Sequence, residues 1–178
     1  MKTQEELESS WVNTPQPSKN VGEVTLLCLR PSEGERVLPA SVEVTPEDGF
    51  VGDRWTETKH GLDDQIAVMM DKAANLVATE KCPVEMVGDN LLVTMDLSED
   101  AISVGTEVRV GTATAVVTPK PHHGCAKFSA RFGSDALKWI NGKTGRSRRL
   151  RGLYLRILSP GTITLGDKIE VTQAAHSA

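Results

Sequence analysis

The sequence predicts a single, mostly β domain, that is, a β-rich α+β fold with a few short helices. Its 178 residues suit one domain that buries a sizeable hydrophobic core. Short segments rich in β-branched and apolar residues recur along the chain, separated by glycine, proline and other turn residues. Spacings of about 8–12 residues between such segments are typical of a barrel or a sandwich.

The predicted strands are residues 21–30, 36–45, 65–70, 90–95, 107–110, 112–118, 150–158 and 168–172. The first is a β-branched and apolar run that ends at Pro31, and the second alternates apolar and polar side chains near its end. Such alternation indicates a half-buried strand, whereas the short apolar run at 65–70 is typical of a fully buried one.

Two segments have helical spacing instead. Residues 71–81 begin at Asp71, a plausible N-cap, and are followed by Pro83. Residues 126–141 repeat apolar side chains at helical spacing, and Gly133 is predicted to separate two short helices there. Residues 143–149 are predicted to form a basic loop, and residues 1–20 a flexible N-terminal arm before the domain at 21–173.

The distribution of charge is more informative than its total. The whole chain carries −4, but residues 120–156 contain ten basic residues and one acid, so this segment carries +9. This pattern favours a local anion site and gives no reason to expect a nucleic-acid partner. No apolar run reaches the roughly 18–20 residues of a membrane helix, and no signal peptide is evident. Three scattered cysteines indicate a cytoplasmic protein with reduced thiols.

The segment 119–127, Pro-Lys-Pro-His-His-Gly-Cys-Ala-Lys, predicts a reactive cysteine. Cys125 follows a rigid loop and precedes a predicted helix, where free backbone N–H groups and the helix dipole favour a thiolate. Lys120 and Lys127 add positive charge nearby, and such surroundings lower a thiol pKa. Cys125 is therefore a candidate nucleophile or metal ligand, and a small buried residue is the alternative. Cys28 and Cys82 are expected to be structural.

Other candidates surround this loop. His122 and His123 fit ligands, acid–base groups or plain loop residues, and adjacent side chains in an extended loop point apart, so at most one is expected to face Cys125. Nothing nearby completes a four-ligand zinc set. The arginines after the second helix suit a phosphate or a solvated loop; they are Arg146, Arg148, Arg149 and Arg151.

Five short motifs occur in an order that resembles the MOSC family, named after the C-terminal domain of molybdenum-cofactor sulfurase. They are G-x-x-G-D-R (Gly49, Gly52, Asp53, Arg54), G-[E/D]-N-L (Gly88, Asp89, Asn90, Leu91), P-x-x-x-C (Pro121, Cys125), Arg151-Gly152-Leu153-Tyr154 and Gly161-x-Ile163-x-x-Gly166-Asp167. The resemblance runs over about residues 21–172, and Asp89 stands where many members carry Glu.

The resemblance implies a distorted β-barrel and a function centred on Cys125. One implied function is that of an oxidoreductase: a molybdenum-cofactor (molybdopterin) protein that reduces N-hydroxylated compounds with Cys125 as the metal ligand and a separate redox partner. The second is a sulfur carrier with a Cys125 persulfide, supplied by a separate cysteine desulfurase. The third is a non-catalytic binder of the cofactor or another anion. Pyridoxal phosphate belongs to the fused desulfurase domain in this family and is not expected here.

The resemblance also implies roles for individual residues. His122, His123 and Asp89 would handle protons, and Cys125 would bind the metal. The residues expected to bind the cofactor are Asp53, Arg54, Asn90, Lys120, Arg149 and Arg151.

Overall fold

The computed structural model describes residues 1–58 and 61–174. The strands in these residues are β1 (Val21–Leu27), β2 (Ser41–Thr45), β3 (Gly49–Phe50), β4 (Ile66–Met70), β5 (Leu91–Val93), β6 (Glu107–Val110), β7 (Ala113–Val117), β8 (Leu153–Ser159), β9 (Gly161–Thr164) and β10 (Lys168–Gln173). Seven of them close into a barrel in the order β1-β10-β6-β7-β8-β4-β5. The other three strands form a second sheet in the order β3-β2-β9. The distorted barrel expected from the sequence is confirmed.

The burial of each strand follows its side-chain pattern. In β7 alternate residues are buried, as one inward face of a barrel requires. All five residues of β4 are buried, because this strand has β5 and β8 on its two sides and α2 packed against it. The pairing of β4 with β5 is parallel, whereas the other barrel pairs are antiparallel.

The helices lie outside the barrel. They are α1 (Gln4–Asn13), α2 (Asp71–Val77), α3 (Ala126–Phe132), α4 (Ser134–Asn141) and α5 (Lys143–Ser147). Short 3₁₀ turns occupy Arg54–Glu57, Leu62–Asp64 and Val84–Val87. Gly133 separates α3 from α4 with a φ of 94°, which confirms the predicted break. Among the described helices, none is long and apolar enough to cross a membrane.

The N-terminal segment differs from its prediction as a flexible arm. Thr3 and Glu6 form a reciprocal capping box that starts α1. Leu7 and Trp11, four residues apart on one face, are buried against the rest of the protein. Glu8 accepts hydrogen bonds from Trp139 Nε1 and Arg148 Nη1, side chains near and beyond the end of α4. Two apolar residues in a polar sequence are a weak signal, but they suffice once a surface is present to receive them.

The basic segment 143–149 is also not the expected loop, since most of it forms α5. Gly145 makes this possible, because a Cβ there would lie 2.1 Å from the carbonyl oxygen of Trp139. Two smaller differences concern helix and strand ends. Met70, and not Asp71, is the N-cap of α2, and the segment after β8 contains the additional strand β9.

Candidate functional site

The candidate site lies where the segment after β7, the start of β8 and the turns before β4 and β5 come together. Cys125 is the N-cap residue of α3 and is exposed, so the alternative of a small buried residue is wrong. Burial alone would raise the pKa of its thiol. The backbone N–H groups of Phe128 and Lys127 and the charge of Arg151 outweigh that effect, and the thiol pKa is lowered from its ordinary value.

A buried ionic cluster lies beside this loop. Arg151 Nη1 donates to Asp89 Oδ2, and Arg151 Nη2 donates to the carbonyl of Val87 at 3.2 Å. His122 Nδ1 lies 3.5 Å from Asp89 Oδ1. These two atoms, together with Arg151 Nε, are buried and have no hydrogen-bond partner among the described residues. One proton between His122 Nδ1 and Asp89 Oδ1 would therefore complete a hydrogen bond.

The environment of the cluster shifts its pKa values. Burial, followed by the charges of Arg151 and Arg30, holds the pKa of His122 well below its usual value, so the imidazole is neutral at pH 7. Burial raises the pKa of Asp89, and the Arg151 guanidinium opposes that rise. The His122 ring lies 4.3 Å from the ring of Tyr154, whose pKa is raised by burial to about 12.

Two cavities flank His122 and Arg151, and both side chains line each of them. The first, the Arg149 cavity, has a volume of about 260 Å³. Its charged or titratable lining also includes Glu99, Lys120, His123, Arg146 and Arg149. The second, the Arg54 cavity, has a volume of about 220 Å³. Its lining includes Arg30, Asp53, Arg54, Trp55, Asp64 and Tyr154.

A hydrogen-bond network supports the Arg54 cavity. Asp53 accepts from Arg30 Nε at 3.0 Å and from Asn90 Nδ2 at 3.0 Å. Asn90 Oδ1 in turn accepts from Arg30 Nη2 at 2.9 Å and from the backbone of Ala67. Asp53 and Asn90, expected from the sequence to touch a cofactor, are thus occupied with protein partners and position Arg30. Sequence reasoning missed Arg30, for which the only signal was a cation at a strand end before Pro31.

The structure separates other expected partners. Arg54 and Arg149 line different cavities, so they do not converge on one phosphate. Lys120, which lines the Arg149 cavity, is paired with Asp64, which lines the Arg54 cavity. Arg148 points away to Glu8. His123 is exposed and lines the Arg149 cavity, whereas its neighbour His122 is buried. Both histidines line the Arg149 cavity, and His122 also lines the Arg54 cavity.

The other two cysteines have no part in this site. Both are buried, and burial raises the pKa of the Cys28 thiol to about 11. Within residues 1–58 and 61–174, no three side chains of His, Cys, Asp or Glu are grouped so as to hold a metal ion.

Cys125 itself lines neither cavity, but Arg151, which lines both, acts on its thiol through its charge. These features define a class: a β-barrel domain with an exposed thiol of lowered pKa and two arginine-lined cavities. The family model for the MOSC domain matches residues 56–170, and the chain belongs to that family.

Solved structures of similar fold include YuaD from Bacillus subtilis and YiiM from Escherichia coli. The first is 15% identical with a TM-score of 0.65, over 90% of this chain and all of that one. The second is 19% identical with a TM-score of 0.60, over 88% of this chain and 72% of that one. Among curated proteins, one from Gibberella moniliformis named "Reductase" is 26% identical over 140 residues. The match covers 72% of this chain but only 23% of that relative.

Proposed function

We propose that the protein is a molybdenum-cofactor-dependent reductase of N-hydroxylated compounds in which Cys125 is the metal ligand. The observation that carries this proposal is the exposed Cys125 thiol at the start of α3, whose pKa is lowered by backbone N–H groups and by Arg151, a residue that lines both cavities. The name of the Gibberella relative, "Reductase", supports a redox reaction. Three unpaired cysteines favour a reducing, cytoplasmic setting.

The residues present fit the cofactor chemically. A thiolate is a soft ligand and suits molybdenum that is already bound through dithiolene sulfurs. The Arg54 cavity would receive the cofactor's phosphate, because Arg54 makes no ion pair among the described residues and Arg30 is held in place by Asp53. The buried Arg151 Nε–H, which has no acceptor among the described residues, adds a donor in the wall between the cavities.

The chain's own part in the reaction is to bind, orient and supply protons. When bound, the cofactor supplies the two electrons that, with two protons, convert an N–OH group into N–H and water. His122 is neutral and lines both cavities. In the neutral ring, Nδ1 carries the proton and directs it at Asp89. Nε2 is then the ring atom that can take up a proton and donate it to the leaving oxygen.

The test is elemental analysis of protein purified from a host that makes the cofactor. We expect about one molybdenum per chain, lost in Cys125→Ser and retained in Cys82→Ser, the matched control for removal of a thiol. Cofactor-free wild-type protein should also alkylate first at Cys125, and bound molybdenum should protect that thiol. Failure of Cys125 to alkylate in the cofactor-free protein, or equal molybdenum in both variants, would contradict the proposal.

A sulfur carrier is the second candidate, favoured by one observation. Cys125 is exposed, so its thiol is accessible to the persulfide of a separate desulfurase. Cyanide-labile sulfur on Cys125 without molybdenum would support the carrier. Bound molybdenum without turnover of any N-hydroxylated compound would instead support a binding module.

A further inference from the structure

We propose that the Arg149 cavity binds the acidic group, a carboxylate or a phosphate monoester, of the small molecule on which the protein acts. That this small molecule is the substrate rests on the proposed function, but the binding of its acidic group does not. Arg146 and Arg149 would bind the acidic group, in a different cavity from the cofactor's phosphate.

Two positively charged side chains of this cavity have no carboxylate partner among the described residues. Of its four Lys and Arg side chains, Lys120 is paired with Asp64 and Arg151 with Asp89. Neither Arg146 nor Arg149 forms an ion pair with a carboxylate among the described residues. Glu99 is the one acid in the lining, and it acts on Arg149 only at longer range. Two guanidinium groups are therefore available to one anion.

Arg149 is held in place by the protein before any ligand binds. Its Nη1 donates to the carbonyls of Leu97 at 3.3 Å and Ile102 at 2.6 Å. Burial lowers the pKa of Arg149, with Glu99 acting in the opposite direction, so the guanidinium is partly desolvated without a contacting counter-ion. An anion bound beside it would offset that desolvation, and a side chain already held loses little entropy on binding.

The Arg149 cavity lies next to the groups that are proposed to react. His122 and Arg151 form the wall shared with the Arg54 cavity. A molecule whose acidic end lies at Arg146 and Arg149 would extend its other end towards His122. Val104, Ile140 and Leu153 also line the cavity and offer apolar contacts to its body. The ligand class that follows is a small organic acid with an apolar or aromatic body.

The test is calorimetric titration of the full chain with benzoate and, separately, with phenyl phosphate. Arg146 is exposed, so Arg146→Gln should fold normally, and the loss of one charged hydrogen-bond donor should weaken binding by about tenfold. Lys143→Gln removes the same charge from the same helix outside the cavity and should bind as the wild type does. Arg149→Lys, which keeps the charge but loses the planar fork, should also weaken binding.

The outcomes separate this proposal from the previous one. Tighter binding of benzoate identifies a carboxylate ligand, and tighter binding of phenyl phosphate identifies a phosphate monoester. Equal binding by Arg146→Gln and Lys143→Gln, or no binding of either probe, would overturn the proposal even if molybdenum is present. If molybdenum is absent but the titrations behave as expected, the proposed reductase fails and the anion site stands.

A kinetic arm follows for protein loaded with molybdenum. An aryl amidoxime and its para-carboxylate differ only in the acidic group. Arg146→Gln should lower kcat/KM for the carboxylate about tenfold relative to that for the neutral compound, chiefly through KM. A parallel loss for both compounds would contradict a role in recognising the acid.

Discussion

The buried pair of Asp89 and Arg151 allows a quantitative test of the barrel's electrostatics. The Asp89 side chain is fully buried and that of Arg151 is 10% exposed. Asp89→Asn keeps the size of the side chain but removes the carboxylate that Arg151 contacts. Breaking such a buried pair from one side costs about 3–5 kcal/mol, because the remaining charge is left without a partner. That is a large part of the roughly 5–15 kcal/mol by which a domain is usually stable.

Urea unfolding monitored by tryptophan fluorescence measures this cost. With a slope of about 2 kcal/mol per M, the midpoint should fall by about 2 M. Glu170→Gln is the matched control, because its pair with Arg109 lies at the surface and should contribute at most about 1 kcal/mol. Combining Asp89→Leu with Arg151→Met should restore much of the lost stability, since neither charge then remains buried. Equal midpoints for Asp89→Asn and Glu170→Gln would refute the reasoning and indicate that Asp89 is protonated in the folded protein.

Two further predictions concern the same region. The buried His122 has a lowered pKa when folded and its ordinary value of about 6.5 when unfolded, so the unfolded chain binds more protons below that pH. Wild-type stability should therefore fall, relative to that of His122→Asn, by up to about 1.4 kcal/mol per pH unit below pH 6.5; parallel urea midpoints at pH 7 and pH 5 would contradict this. Gly152 and Gly166 both have positive φ values, 94° and 84°, but only at Gly152 would a Cβ meet backbone, at 1.9 Å from the carbonyl oxygen of Val68. Gly152→Ala should thus lower the thermal midpoint well beyond Gly166→Ala, which should cost only about 1–2 kcal/mol of backbone strain, and similar midpoints would show that the barrel relaxes around the methyl group.

The reactive surroundings of Cys125 were predictable because their signals are local. Two prolines and a glycine define the loop, and the helical spacing that begins at Ala126 places the cysteine at a helix start. The break at Gly133 was predictable for the same reason. Each of these features depends on residues that are close together in the sequence, where sequence patterns are strongest.

The pairings in the cluster were not predictable from local patterns. Asp89 is separated from Arg151 by 62 positions, and Arg30 from Asn90 by 60. Only the family resemblance selected Asp89 and Asn90, whereas the basic segment had already selected Arg151. Neither signal showed which of these residues face each other. Nor did the sequence reveal that Arg54 and Arg149 line separate cavities, since that depends on where the Arg151 side chain lies between them.

Two secondary-structure errors have one physical origin. Residues 143–149 were predicted as a loop from their charge and their glycine, and residues 1–20 as an arm from their polarity. Both gain their structure from α4. The backbone of α5 approaches it closely at Gly145, and α1 reaches it through the contact of Glu8 with Trp139. Tertiary packing overrides weak local propensity in such helices.

Closure of the barrel has a consequence for how the chain folds. The seam between β1 and β10 pairs Val21 with Glu170, residues from opposite ends of the domain. During synthesis on a ribosome, β1 therefore keeps one edge unpaired until β10 has emerged. Contacts between residues so distant in sequence form slowly, because the chain between them loses conformational entropy before the strand pairing contributes any stabilisation. An unpaired edge is also a template for aggregation, so chaperone supply and translation speed should influence the yield of native protein.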